Sequence, residues 1–144
     1  MLFRSNHASA TLGPSARQET LLGIGALYAN DDDMHNLLTT TTTYVNPELA
    51  ALYRIAAPDI NGFAEAKLDP FGRRHGLLGQ ASILTLYAHT TSTSPTLRGK
   101  FVREALLCQT VDPPPSGVAP IIPEPDENAR TMRDRLSVHL TDSA

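Results

Sequence analysis

Apolar positions along the chain recur at helical spacing in six stretches and alternate like a strand in one. Ser15 and Gln18 match a capping box, and Leu21, Ile24 and Tyr28 follow at helical spacing, which predicts a helix from Ser15 to about Ala29. Gly23 and Gly25 weaken it by roughly 1 kcal/mol each relative to Ala. Asp33, at the end of an acidic turn, is placed to cap a short helix through Met34, Leu37 and Leu38. Thr39 to Thr43 are β-branched without interruption, which disfavours helix and suits an extended or irregular connector. Asn46 and Pro47 then supply a cap and a first-turn proline for a helix carrying Leu49, Leu52 and Tyr53. Phe63 to Leu68 alternates apolar and polar residues and predicts a short strand near 63–68, its pairing neighbour not evident from the pattern.

The most regular patterning lies between His75 and Pro115. From Gly79 to Ala88 the row Ala81, Leu84, Ala88 and the adjacent row Ile83, Leu86, Tyr87 form a broad apolar face. His89 and the hydroxyl run Thr90 to Thr93 stop that helix, because their side chains compete for backbone hydrogen bonds. Ser94 and Pro95 start another, expected to reach Cys108 with Leu97, Phe101, Ala105 and Cys108 as its stripe. The short connection predicts a helical hairpin with a shared interior between Leu84 and Phe101. Six prolines between Val111 and Pro125 forbid helix and predict a stiff strap. Asp126 then caps a final amphipathic helix with Ala129, Met132, Leu136 and Leu140 inward. The fold class is therefore mainly α: a small helical domain with a central hairpin, one short strand and a Pro-rich strap before a C-terminal helix.

Candidate chemistry is sparse. No Walker loop, dinucleotide fingerprint, paired-histidine zinc motif or nucleophile elbow is present, and the five histidines do not fall at metal-ligand spacings, so no metal is expected. The acidic run Asp31 to Asp33 lacks the alternating oxygen ligands of a calcium loop. The one polar cluster worth naming is the bend of the hairpin, where His89, Thr93, Ser94, Arg98 and Lys100 could contact an anion or a carbohydrate. The competing reading of the same residues is ordinary caps and a solvated face, and the pair Arg73 and Arg74 is likewise expected to be solvated.

Composition narrows the setting. The 144 residues are 41% hydrophobic, enough for one core or two small ones. A formal charge of −3 and a pI near 5.9 argue against nucleic-acid binding, which requires a basic surface. No apolar run approaches the roughly 18 residues of a membrane span. The single cysteine, Cys108, cannot close a bridge within the chain and is expected to be a buried thiol unless its partner lies outside it.

Three features in order, Gly76-Leu77-Leu78-Gly79-Gln80, then Thr93-Ser94-Pro95 with Arg98-Gly99-Lys100-Phe101-Val102, then the triple proline Pro113-Pro114-Pro115, resemble planctomycete-type cytochrome-associated proteins, in the segment catalogued as domain of unknown function 1588. Thr42 to Asn46 with Leu49, Ala50 and Tyr53 looks like the end of the preceding domain, number 1592. The organisation expected from this is a poorly ordered segment 1–14, a 1592-like part 15–72, and a truncated 1588-like part 73–144. The resemblance implies a larger exported protein, periplasmic or extracellular, in which a C-x-x-C-H haem-attachment sequence follows the last helix. No haem is expected on this chain, and c-type haem is expected in a continuation past Ala144. The resemblance also implies that Cys108 could bond a thiol in that continuation.

The leading functional expectation is a non-enzymatic structural and interaction module that positions a haem segment or a partner. Its partners would be the adjacent domains of the same protein, with a redox partner or a polysaccharide as further candidates. A carbohydrate-binding or carbohydrate-processing module is the alternative, with few aromatics and no Trp against it. An intracellular helical adaptor is a third reading.

Overall fold

A computed structural model of the chain describes residues 9–89, 92–113, 115–117 and 131–137. The fold is mainly helical with one small sheet, in the order α1 (Leu12–Ala29), α2 (Asn36–Thr39), β1 (Thr42–Val45), α3 (Pro47–Tyr53), β2 (Ala64–Lys67), α4 (Ala81–Leu86), α5 (Pro95–Phe101) and α6 (Met132–Leu136). A 3-10 turn, Leu77–Gly79, precedes α4, and a π-helical turn, Val102–Leu106, continues α5. The chain divides into two compact units, residues 1–86 and 87–144.

In the first unit the core forms where α1, β1, α3 and α4 meet, around Ala16, Val45, Leu49, Ala50 and Ala81. Leu49 and Val45 are fully buried. Completely burying side chains of this size contributes about 1.5–3 kcal/mol each. α3 forms as its sequence predicts: the Asn46 side chain accepts the Leu49 N–H at 3.0 Å, and Pro47 occupies the first turn, where its missing N–H would have no partner anyway.

The threonine run and the 63–68 segment turn out to be each other's partners. β1 and β2 pair antiparallel with Thr43 opposite Ala66 and Tyr44 opposite Glu65, so the neighbour of the predicted strand lies within the chain. Thr39 ends α2, Thr40 and Thr41 form the connector, and Thr42 and Thr43 are extended as expected but belong to a paired strand. β-branched residues suit the pleat, and alternation sends Thr43 and Val45 inward while Thr42 and Tyr44 take the other face.

α1 departs from expectation in both start and orientation. It begins at Leu12 rather than Ser15, because Gly13 and Pro14 fit a first turn in which no N–H is missed. Residues 9–14 of the expected disordered segment are thus ordered, and residues 1–8 lie outside the described part. Ser15 is no cap: it is buried inside the helix, where its Oγ donates to Glu48 at 3.2 Å and accepts from Asn46 Nδ2 at 2.9 Å. The predicted stripe faces out, with Leu21 46%, Ile24 40% and Tyr28 89% exposed, while Ser15, Ala16 and Glu19 face in. Ser15 and Ala16 on the inner face are small, and Glu19 beside them meets β1 through the Thr43 hydroxyl.

The short helix of the acidic turn is a single turn, Asn36–Thr39, with Met34 outside it. Asp33 does not cap this helix as expected, since the N-cap is His35 and no side chain caps it; the Asp33 carboxylate instead takes the His35 N–H at 2.9 Å and the imidazole Nδ1 at 2.7 Å, contacts that hold it below the usual range. Next to it the chain makes an unusually close approach. Gly76 has φ +50°, and a Cβ there would stand 2.4 Å from the Leu38 carbonyl carbon and 2.5 Å from the Leu37 oxygen.

In the second unit Ser94 caps α5 as predicted, accepting the Leu97 N–H at 3.3 Å. The bend before it is closed by a bridge between Ala88 and Thr93 and by the His89 N–H donating to the Ser92 carbonyl at 2.8 Å. Tyr87 stacks on Phe101 with ring centroids 4.6 Å apart, a pairing worth about 0.5–1.5 kcal/mol beyond its buried area. The expected helix to Cys108 ends earlier: it turns π-helical at Val102, and Cys108 itself has φ +52°. Leu97, Ala105 and Cys108 of the predicted stripe are exposed, so the buried-thiol expectation is corrected. α6 is capped by a reciprocal box of Thr131 and Asp134, and the expected cap Asp126, with Ala129 and Leu140, lies outside the described residues. Most of the proline strap also lies outside them.

Gly76→Ala is expected to destabilise the protein by well over about 1 kcal/mol in urea unfolding, because both the backbone conformation and the Leu38 contact exclude a side chain. A variant as stable as the wild type would show that the approach of these segments is not tight.

Candidate functional site

The residues singled out at the bend do not converge. Ser94 is buried and its side chain serves the helix cap. His89 and Thr93 are exposed, and their backbones close the bend. Arg98 and Lys100 are two positions apart on α5, about 200° around the helix axis, so they face different ways. Lys100 lies 3.6 Å from Glu104 and shares a groove with Thr96, Arg103 and Asp112 that includes none of the other four.

The chemically unusual site lies in the first unit. Glu19 is 0% exposed, and its carboxylate is held by two hydroxyl donors: Thr43 Oγ1 to Oε1 at 2.5 Å and Tyr53 Oη to Oε2 at 2.7 Å. Tyr53 Oη in turn accepts the Ala81 N–H at 2.8 Å, satisfying an amide that the first turn of α4 leaves unpaired. Arg74 stands over the Tyr53 ring, 4.7 Å from its centroid, and donates Nη1 to the Gly79 carbonyl at 2.8 Å. Arg74 is therefore half-buried and engaged, which corrects its reading as a solvated cation. A second polar link runs beside this one: Thr20 Oγ1 donates to Gln80 Oε1 at 2.7 Å and lies 2.6 Å from Ser82 Oγ. Among the described residues no buried side-chain polar atom lacks a hydrogen-bond partner.

Electrostatics follow from this burial. Loss of water pushes the Glu19 carboxyl above its ordinary 4.5, while the Thr43 and Tyr53 hydroxyls and the Arg74 charge pull it partly back. Desolvation, then the negative charge of Glu19 and the hydrogen bond to it, raises the Tyr53 phenol far above its ordinary value. Tyr53 is thus held firmly as a donor to Glu19.

None of these residues was singled out as functional from sequence. The available signal was Glu19 at i+4 from Ser15 and i+3 from Ala16, a carboxylate on the face that must meet β1. Chemically the cluster is a set of ties joining α1, β1, α3 and α4. Each carboxylate oxygen receives one hydroxyl donor, and the side chain has no exposed surface. Among the described residues no group of three or more His, Cys, Asp and Glu could hold a metal ion, and no helix is long and apolar enough to cross a membrane.

Residues 74–144 match the family described as PSCyt3, Protein of unknown function (DUF1588). This is the later of the two segments named by the sequence resemblance. Among curated proteins and among solved structures, none matches the chain.

Tyr53→Phe is expected to cost roughly 2 kcal/mol or more in unfolding experiments, since it strands both a buried carboxylate and the Ala81 N–H. Glu19→Gln separates charge from shape. With its folded value raised, Glu19 keeps a proton just above pH 4.5 where the unfolded chain has lost it, so the folded state binds more protons there. Stability from that proton falls as pH rises through the window. The wild type should lose stability relative to Glu19→Gln as pH rises above the ordinary value of 4.5, measured by denaturation at a series of pH values. A difference that stays flat with pH would contradict the raised value.

Proposed function

We propose that the chain is a structural and interaction module of a larger extracytoplasmic protein of the c-type-cytochrome-associated kind, without catalysis of its own. The observation that carries this reading is the Glu19 cluster. A fully buried carboxylate of the first unit joins four elements, each of its oxygens taking a hydroxyl donor from within the fold. The match of residues 74–144 to the DUF1588 family supports the second part of the reading, and the resemblance of Thr42 to Tyr53 to the end of domain 1592 supports assigning what precedes it.

The chain's own residues do not fit covalent haem. Attachment through C-x-x-C-H needs two cysteines and a histidine at fixed spacing, whereas exposed Cys108 is the only cysteine and is followed by Gln109, Thr110, Val111 and Asp112. In this reading c-type haem belongs to a continuation past Ala144, in a periplasmic or extracellular setting, and Cys108 is available to a thiol there. The partners are the neighbouring domains and whatever redox protein or polysaccharide they serve.

The test is the reading frame beyond Ala144. A C-x-x-C-H within a few codons is expected, and the extended chain, exported with haem-maturation machinery, should retain haem on a denaturing gel. A stop codon directly after Ala144 would favour an intracellular adaptor instead.

A further inference from the structure

A second feature of the first unit has no part in the Glu19 cluster or in the haem-associated reading. Between the C-terminal half of α1, the α2 turn and the outward face of the β1–β2 sheet lies a cavity of about 210 Å³. It is smaller than the roughly 300–1,000 Å³ of pockets for drug-sized ligands, and fits a molecule the size of one sugar ring.

Its lining mixes chemistry in the way small-molecule sites do, with an apolar base and a few polar groups at set places. Leu27 contributes apolar surface. Tyr44 and Glu65 line it together because they are directly opposed in the β1–β2 register. Tyr44 offers a ring with a polar tip, a combination suited to ligands with both apolar and hydroxyl faces. Asp32 and Glu65 are exposed, which puts two carboxylates at the solvent edge, and no Lys or Arg is among the lining residues. Asp32 Oδ1 is engaged by Asn36 Nδ2 at 2.7 Å and by the Asp33 N–H at 2.8 Å, which fixes the side chain. Gln80 is likewise fixed through its Oε1 by Thr20, and its Nε2 lies 3.6 Å from where a Cβ on Gly23 would stand.

Gly23 is the second, independent observation. A glycine in mid-helix costs about 1 kcal/mol against alanine, and here neither a positive φ nor a close backbone approach requires it. Its effect is to leave open the wall of α1 that borders the cavity.

We infer that this cavity binds a monosaccharide-sized polyol bearing an amino group. Hydroxyls can pair with the Gln80 amide and the Tyr44 hydroxyl, while the ammonium meets the Asp32 and Glu65 carboxylates in charge-assisted hydrogen bonds. An anionic sugar is disfavoured by the same two carboxylates. The site differs from the hairpin bend around His89 and Arg98, and shares no residue with it.

The test is a titration of the full chain, followed by amide resonances of residues 42–44, 65 and 80, with glucosamine as the probe and glucose and glucuronate as neutral and anionic counterparts. Glucosamine is expected to shift these resonances saturably, with at least tenfold weaker binding of glucose and none of glucuronate. Glu65→Gln, at an exposed strand position, should weaken glucosamine binding at least threefold. Gly23→Leu should abolish binding while melting at or above the wild-type temperature, since it fills the cavity and improves the helix. The inference is overturned by the absence of a saturable response to glucosamine, by equal binding of glucose or glucuronate, or by undiminished binding in a folded Gly23→Leu variant.

Discussion

The first unit depends on a carboxylate that water cannot reach. Burying an ionised or polar group without partners costs several kcal/mol, so Glu19 can occupy the centre only if donors from elsewhere in the chain arrive at fixed positions. Thr43 must come in on β1 and Tyr53 on the last turn of α3. Because Tyr53 also receives the Ala81 amide, the start of α4 is fixed in the same step. The apolar core around Leu49 and Val45 contributes through burial, which has no direction, whereas the hydroxyl contacts are directional.

That division explains what was legible in the sequence. The caps of α3 and α5 could be read directly, because Asn46-Pro47 and Ser94-Pro95 act over one turn of chain and need nothing from afar. The mainly helical class and the strand near 63–68 also followed from periodicity. The inward face of α1 did not. Leu21, Ile24 and Tyr28 form the more apolar row, and only partners 24 and 34 residues away make the row containing Glu19 the buried one. The strand partner was hidden for a related reason: β1 lies in a threonine run without hydrophobic alternation, and α3 separates it from β2.

The residues named at the polar bend are set apart by simple geometry. Residues close in sequence were read as close in function, but a helix turns 100° per residue and sends Arg98 and Lys100 apart. Arg74, by contrast, looked like half of a basic surface pair and is instead packed over Tyr53. Its role depends on a ring 21 positions earlier in the chain, which no local pattern encodes.

The match to the DUF1588 family begins at Arg74, whereas the first compact unit runs to residue 86. The opening of the recurring segment is thus tied to what precedes it: Arg74 packs over Tyr53, Gln80 takes the Thr20 hydroxyl, and Ala81 joins the core. A gene fragment cut at the family boundary would encode a segment stripped of α1 and α3, to which its first residues are bonded. Shuffling this segment between proteins would therefore have to carry its upstream neighbour along, or replace it with one presenting hydroxyls at the same places.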